Sequence, residues 1–181
     1  GMTLTDGSYF NIWAAPAAVN LAMGISQATF DSSSNWVGAT TTVTASINPS
    51  AAWFQSQAQF DLTFNKTVID VVGGVANITI DPNWAGPNTK TIGYVGDQGT
   101  IHIAVQNPTV NPPTTIATIV FTVMTQMVAP PQSTTDFDVS PLTYSNVFFF
   151  DHVGAVPVGT VASGQVKVYA HGLAKYPWFQ V

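Results

Sequence analysis

The sequence predicts an all-β protein, a sandwich of two packed sheets, and three observations lead there. Charged residues make up 7 % of the 181, against roughly 25 % in an ordinary soluble domain. Glu and Arg are absent, and Thr outnumbers all charged residues together. Strong helix formers thus give way to residues that suit a pleated, half-buried surface. The third observation is rhythm: short runs of period-two alternation are punctuated by Gly, Pro and Asn turns about every 8–12 residues, the pattern of a β-sandwich.

Each element follows in order. Residues 39–47 (ATTTVTASI) and 53–64 (WFQSQAQFDLTF) alternate and flank the turn Asn48-Pro49-Ser50. Residues 68–72 (VIDVV) read as a short strand before Gly73-Gly74, and 75–80 (VANITI) as another. The loop Asp81–Asn88 leads to a hairpin, 89–95 (TKTIGYV) and 100–106 (TIHIAVQ), about the turn Gly96–Gly99. The Pro-rich segment 107–113 cannot sit in a central ladder. Residues 115–124 (TIATIVFTVM) are the most apolar run and predict a central strand. One long irregular strand is expected over 136–150, then a turn at Asp151–Gly154, then 155–161 and 164–169. That makes about eight to ten strands. Residues 1–30 and 170–181 fit the pattern least well.

A chain of this length suits one domain and buries most of its unfolded surface without a disulfide or metal staple. Cysteine is absent, which removes thiol nucleophiles and thiolate metal sites. A formal net charge of −5 with 4 cations argues against phosphate-backbone binding, so no nucleic-acid partner is expected. No run reaches the roughly 18 apolar residues of a membrane span. Residues 12–23 are interrupted by Pro16 and Asn20 and lack a basic flank, so they do not read as a signal peptide.

The order of features resembles a cohesin domain over residues 36–169. Phe60-x-Leu62-x-Phe64 followed by Asn65-Lys66-Thr67-Val68-Ile69-Asp70-Val71-Val72-Gly73 is similar to the cohesin strand that runs into "YDP-x-VLE-hydrophobic-G", with Asn65-Lys66 standing where that family has Asp-Pro. Gly99–Val105, a Pro-containing loop and Thr115–Val123 match the "G-x-I-x-hydrophobic … LA-x-I-x-F-x-V" pair. Asp151–Val158 and Gly164–Val168 are similar to the final cohesin strands. The resemblance implies a nine-stranded jelly-roll sandwich, a fold shared in outline with carbohydrate-binding modules. The whole chain, 1–181, is then a single domain with core 36–169, a divergent N-terminal strand region 1–35 and a short tail 170–181.

The same resemblance implies a non-catalytic, extracellular or cell-surface module that binds dockerins through one flat sheet face, built from strands equivalent to 53–64, 89–95, 100–106 and 136–150. Period-two geometry assigns the side chains of that face. With Phe60, Leu62 and Phe64 inward, Gln57, Gln59 and Asp61 point out. With Ile101, Ile103 and Val105 inward, His102, Ala104 and Gln106 point out. Carried over position by position, the resemblance adds Tyr94. Amides and a phenol suit a helical protein surface, because they hydrogen-bond without the desolvation cost of buried charge.

Other constellations compete. Trp84, in its loop, and Tyr94 form a candidate aromatic platform for a polysaccharide. A structural module of a surface layer or adhesin is a third reading, suited by low charge and abundant Thr. Asp136 and Asp138 share one side of an extended strand, as a glycosidase pair would, but same-strand Asp pairs near loops are usually solubilising. His102, His152 and His171 show no close ligand spacing, so no metal site is expected. Asp81 and Asp97 lie in loops that could hold a structural calcium, without a supporting motif. No cofactor is expected. Asn65 and Asn77 begin Asn-x-Thr sequons.

Overall fold

Period-two alternation drives every long strand to bury one side, and two sheets close over those sides. In the computed structural model the described residues are 21–25, 28–30, 37–49, 55–110, 115–125, 137–151, 154–156 and 158–169. They form β1 (Leu21–Ile25), β2 (Ala28–Phe30), β3 (Thr40–Pro49), β4 (Gln55–Asn65) and β5 (Ile69–Asp70). A 3-10 turn (Gly74–Asn77) precedes β6 (Ile78–Ile80), β7 (Thr89–Val95), β8 (Gln98–Gln106) and β9 (Thr115–Val123). The remainder are β10 (Phe137–Asp151), β11 (Ala155–Val156), β12 (Val158–Val161) and β13 (Gly164–Tyr169).

One sheet runs β12-β1-β3-β9-β5, with β6 also on β9; the other runs β2-β13-β10-β4-β8-β7, with β11 on β10. The expected all-β jelly-roll sandwich is therefore what forms. Its strands number more than nine because four of the segments are only two or three residues long. Residues 21–25 and 28–30, which alternate too briefly to read as strands, join by backbone pairing. β1 lies antiparallel to β3 and parallel to β12, and β2 lies parallel to β13.

The core is one contiguous cluster. Phe60, Leu62 and Phe64 of β4 and Ile101, Ile103 and Val105 of β8 face Ile116, Ile119, Phe121 and Val123 of β9. Edge-to-face ring pairs lock it: Phe64 on Phe121 with centroids 5.1 Å apart, and Phe60 on Tyr144 at 5.0 Å, each worth about 0.5–1.5 kcal/mol beyond burial. Gly99 pairs directly with Phe64. A Cβ there would stand 2.1 Å from the Phe64 ring, so only glycine lets that ring lie across β8.

Two short elements differ from the sequence reading. Residues 68–72 contribute only Ile69–Asp70 as strand, and of 75–80 only Ile78–Ile80 is extended. Gly74 takes φ +60° and its N–H donates to the Val71 carbonyl at 2.7 Å, which turns the chain into the 3-10 segment instead. The β7–β8 turn is also tighter than expected. Val95 pairs with Gln98, leaving Gly96 (φ +57°) and Asp97 as a two-residue loop, where glycine at the first position is favoured.

β10 spans both halves of its sheet, pairing first with β13 and then with β4. Pro141 pairs with Gln165 of β13 and falls two steps before Thr143 meets Thr63, opposite Asn65. Proline has no N–H to offer there. The Asn65 N–H donates to the fully buried Ser140 hydroxyl at 2.9 Å. The Asn65 side chain closes the next turn, its Oδ1 accepting from Thr67 N–H (3.0 Å) and Thr67 Oγ (2.7 Å). Further along, the register slips between Ser145 and Phe148, and Asn146 adopts φ +50°. This bulge is the irregularity that the sequence run implied.

Candidate functional site: the outer face of the β10-β4-β8-β7 sheet

Four adjacent strands present one outward register. Gln57 pairs with Gln106, Gln59 with Ala104 and Asp61 with His102 across β4 and β8. On the far side of β8, Thr89 meets Ala104 and Thr91 meets His102. On the other flank, Thr143, Ser145, Phe148 and Phe150 of β10 stand opposite Thr63, Asp61, Gln59 and Gln57. Six of the seven residues expected on a docking face, namely Gln57, Gln59, Asp61, His102, Ala104 and Gln106, are thus brought together. None is buried.

Tyr94 is the seventh, and its placement is corrected. It pairs with Gly99, the partner of Phe64, so it belongs to the core-side register at the edge of the sheet. Its ring packs edge-to-face on Phe64 at 6.3 Å, its hydroxyl donates to Asp70 at 2.8 Å, and the Lys66 ammonium lies 5.6 Å from its centroid. Partial burial, together with the Asp70 carboxylate that accepts its proton and repels a phenolate, pushes its hydroxyl up to about 12. Period two explains the correction: Thr91 faces out opposite His102, so Tyr94, an odd number of positions away, faces the other way.

The aromatic platform is corrected as well. Trp84 is 3 % exposed and belongs to the core. Its indole N–H donates to the Thr115 carbonyl at 2.9 Å, and its carbonyl accepts from the Asn88 side chain. Ala85 and Gly86 N–H groups bond the Asn107 and Gln106 carbonyls, and Thr109 N–H bonds that of Asn83. The loop is stitched flat and its one large ring is inside, so Trp84 and Tyr94 offer no paired stacking surface.

Electrostatically the face is quiet, with one focus. Among the outward positions of β10, β4, β8 and β7 whose side chains are described, Asp61 and His102 are the ionisable ones. Asp61 Oδ1 lies 2.7 Å from His102 Nδ1, and Asp61 Oδ2 accepts from Asn146 Nδ2 at 2.6 Å. A carboxylate only accepts, so Nδ1 carries the proton and Nε2 faces away from Asp61. Asn146 reaches Asp61 because of the β10 bulge. The same bulge leaves Phe148 49 % exposed beside Gln59, an apolar knob on a polar field. At the Asn65 end, a hollow of about 330 Å³ is bounded by Thr63, Phe64, Asn65, Asp97, Gln98 and Pro141.

Sequence reading missed Asn146 and Phe148. The signal was the break of alternation in SNVFFF, which a bulge resolves. The remaining candidates do not converge. Asp81 Oδ1 accepts the Asn83 N–H within its own turn, at 2.9 Å, and Asp97 sits in the distant hairpin loop. Asp138 accepts from the Thr125 hydroxyl at 2.8 Å; Asp136, His152 and His171 lie outside the described residues. Among the described residues no group of three or more His, Asp, Glu or Cys side chains gathers at metal-binding distance. No helix among them is long and apolar enough to cross a membrane, which leaves β-barrel spanning unaddressed.

No protein-family model matches the sequence, and no curated protein matches it. Solved structures do. The chain is similar to the OlpC cohesin of a Clostridium thermocellum type I cohesin–dockerin complex, at 11 % identity over 87 % of this chain and 97 % of that one, with a TM-score of 0.61. It is similar to the sixth cohesin of Acetivibrio cellulolyticus scaffoldin B, solved with a dockerin, at 16 % identity over 84 % and 99 %, with a TM-score of 0.57. It is also similar to a non-cellulosomal cohesin from the archaeon Archaeoglobus fulgidus, at 16 % identity over 84 % and 91 %, with a TM-score of 0.52. The β-sandwich described above is the cohesin fold.

Proposed function

We propose that this chain is a non-catalytic module, working outside the cell or at its surface, that holds a dockerin-like protein through the outer face of β10, β4, β8 and β7. One observation carries the reading. A contiguous field of amides, hydroxyls and small residues on paired strands lies open around a single satisfied carboxylate, with Phe148 as an apolar anchor. Such a field is chemically matched to a helical protein surface: its donors and acceptors pair across an interface with little desolvation penalty, and an aromatic knob supplies the concentrated contact. The structural likeness to cohesins solved with dockerins supports the same partner class. Any calcium the complex needs is assigned in this reading to the partner's loops; among the described residues no carboxylates are grouped for it. The low-charge, Thr-rich composition suits the extracellular setting.

The test is capture from the source organism's secreted and surface proteins with this domain as bait, followed by titration of recombinant dockerin modules. Recovery of a protein with paired calcium-binding loops, lost on chelation, supports the reading. Gln59→Arg should then weaken binding at least tenfold with the melting temperature unchanged. A partner that binds this variant as well as the parent rules the face out, and retention on a polysaccharide gel without protein capture moves the function to sugar binding.

A further inference from the structure

At the centre of the docking face sits a titratable group that a partner must cover. His102 and Asp61 are directly opposed on β8 and β4, and their side chains are 35 % and 17 % exposed. Both Asp61 oxygens are already engaged, one by His102 Nδ1 and the other by Asn146 Nδ2. Positions packed around the pair bring no compensating charge. They are Thr91 on β7, Thr100 and Ala104 on β8, Gln59 and Thr63 on β4, and Ser145 and Asn146 on β10. The other charged groups on or beside this sheet are Lys90 on β7, which pairs with the inward Ile103 and donates its ammonium to the Ile78 carbonyl, Asp138 and Asp151 on β10, Lys167 on β13, and Lys66 and Asp97 beyond the Asn65 end.

Water stabilises this pair in either charge state while the face is open. Covering it changes the balance. With a neutral imidazole the partner seals in a net charge of −1, which is expensive in a desolvated interface. With an imidazolium it seals in a neutral, hydrogen-bonded ion pair at contact distance, and the outward Nε2 becomes a donor for a carbonyl, hydroxyl or carboxylate of the partner. Histidine is the side chain whose unperturbed charge change lies between about pH 5 and pH 8.

We propose that docking takes up a proton at His102, so that this face holds its protein partner more tightly in mildly acidic than in alkaline surroundings. The inference rests on the docking role proposed above. The sign follows from linkage: the bound state favours the protonated ring, so the added affinity is complete in acid. It is lost as pH rises through the range in which the docked ring releases its proton. A single site changes affinity by at most about tenfold per pH unit.

The experiment is calorimetric titration of the intact domain with calcium-loaded dockerin modules from the source organism, from about pH 5.5 to about pH 8.5. Repeating one neutral pH in buffers of different ionisation enthalpy counts protons directly, without a variant. The expected result is net uptake approaching one proton and affinity that falls with rising pH. His102→Gln keeps a donor toward Asp61 but cannot titrate, so it should flatten that part of the profile attributable to this domain. Asp61→Asn provides a second route, because covering a neutral ring over an amide carries no net charge. Proton uptake near zero, or the same profile in His102→Gln as in the parent, overturns the proposal while leaving the docking role intact. Absence of binding at every pH overturns both.

Discussion

Replacing Trp84 with alanine separates a core role from a sugar-binding role. The indole is 3 % exposed, lies in the core cluster and gives its N–H to the Thr115 carbonyl at 2.9 Å. A buried indole removes about 200 Å² from water, which at about 25 cal/mol per Å² corresponds to about 5 kcal/mol. Alanine retains a small part of that, and measured truncations of buried aromatics cost about 3–5 kcal/mol. The stranded Thr115 carbonyl adds about 1 kcal/mol. Trp84→Ala should therefore lose at least about 4 kcal/mol. At about 2–4 °C per kcal/mol for a domain of this size, the melting temperature should drop by about 8–16 °C. Urea unfolding followed by circular dichroism should show the midpoint falling with the slope unchanged. Trp84→Phe keeps most of the ring and should recover about half the loss. A Trp84→Ala protein that melts within about 2 °C of the parent, yet no longer binds polysaccharide, would refute the reasoning.

Three further outcomes follow from the packing. Ser140→Ala leaves the Asn65 amide without its acceptor beside Pro141 and should cost about 1–3 kcal/mol in denaturant unfolding; a loss under about 0.5 kcal/mol means the amide finds another partner. Gly99→Ala places a methyl into the Phe64 ring and should cost about 1–3 kcal/mol, whereas Gly93→Ala, with open space at its Cβ, should be close to neutral. In alkali, the Tyr94 phenol is held at about 12 in the folded state, above its ordinary value near 10. The stability linked to it is complete below about pH 10 and disappears as pH climbs through about 12. Tyr94→Phe should remove that portion of the alkaline slope, and an unaltered slope would mean the Asp70 contact does not persist in solution.

Strand existence, the hairpin and the inward set of the long strands were legible because each rests on period-two burial. Phe60, Leu62 and Phe64 on one side force Gln57, Gln59 and Asp61 onto the other, whatever the rest of the chain does. Tyr94 escaped because its side was assigned by position in the resemblance, whereas its own strand's parity, set opposite His102 by Thr91, places it inward. Trp84 escaped because a loop tryptophan shows no periodicity, and only the stitching of 81–88 onto 106–109 seats it. The 3-10 segment was hidden by Val75 and Ile78, apolar residues that fit a strand equally well until Gly74 turns the chain. The Asn146 bridge to Asp61 spans residues 85 apart in sequence, and no local pattern announces such a contact.

The bulge in β10 has a consequence for how this surface can diverge. Before it, odd-numbered residues (Thr143, Ser145) stand on the outer side; after it, even-numbered ones (Phe148, Phe150) do, while Val147 and Phe149 turn inward. One residue thus acts as a parity switch. Losing it would exchange inner and outer side chains over the part of β10 that follows, and leave Asp61, His102, Gln57, Gln59 and Gln106 where they are. Deleting Asn146 would therefore alter this surface in a single codon-length event, a larger step than a point substitution makes.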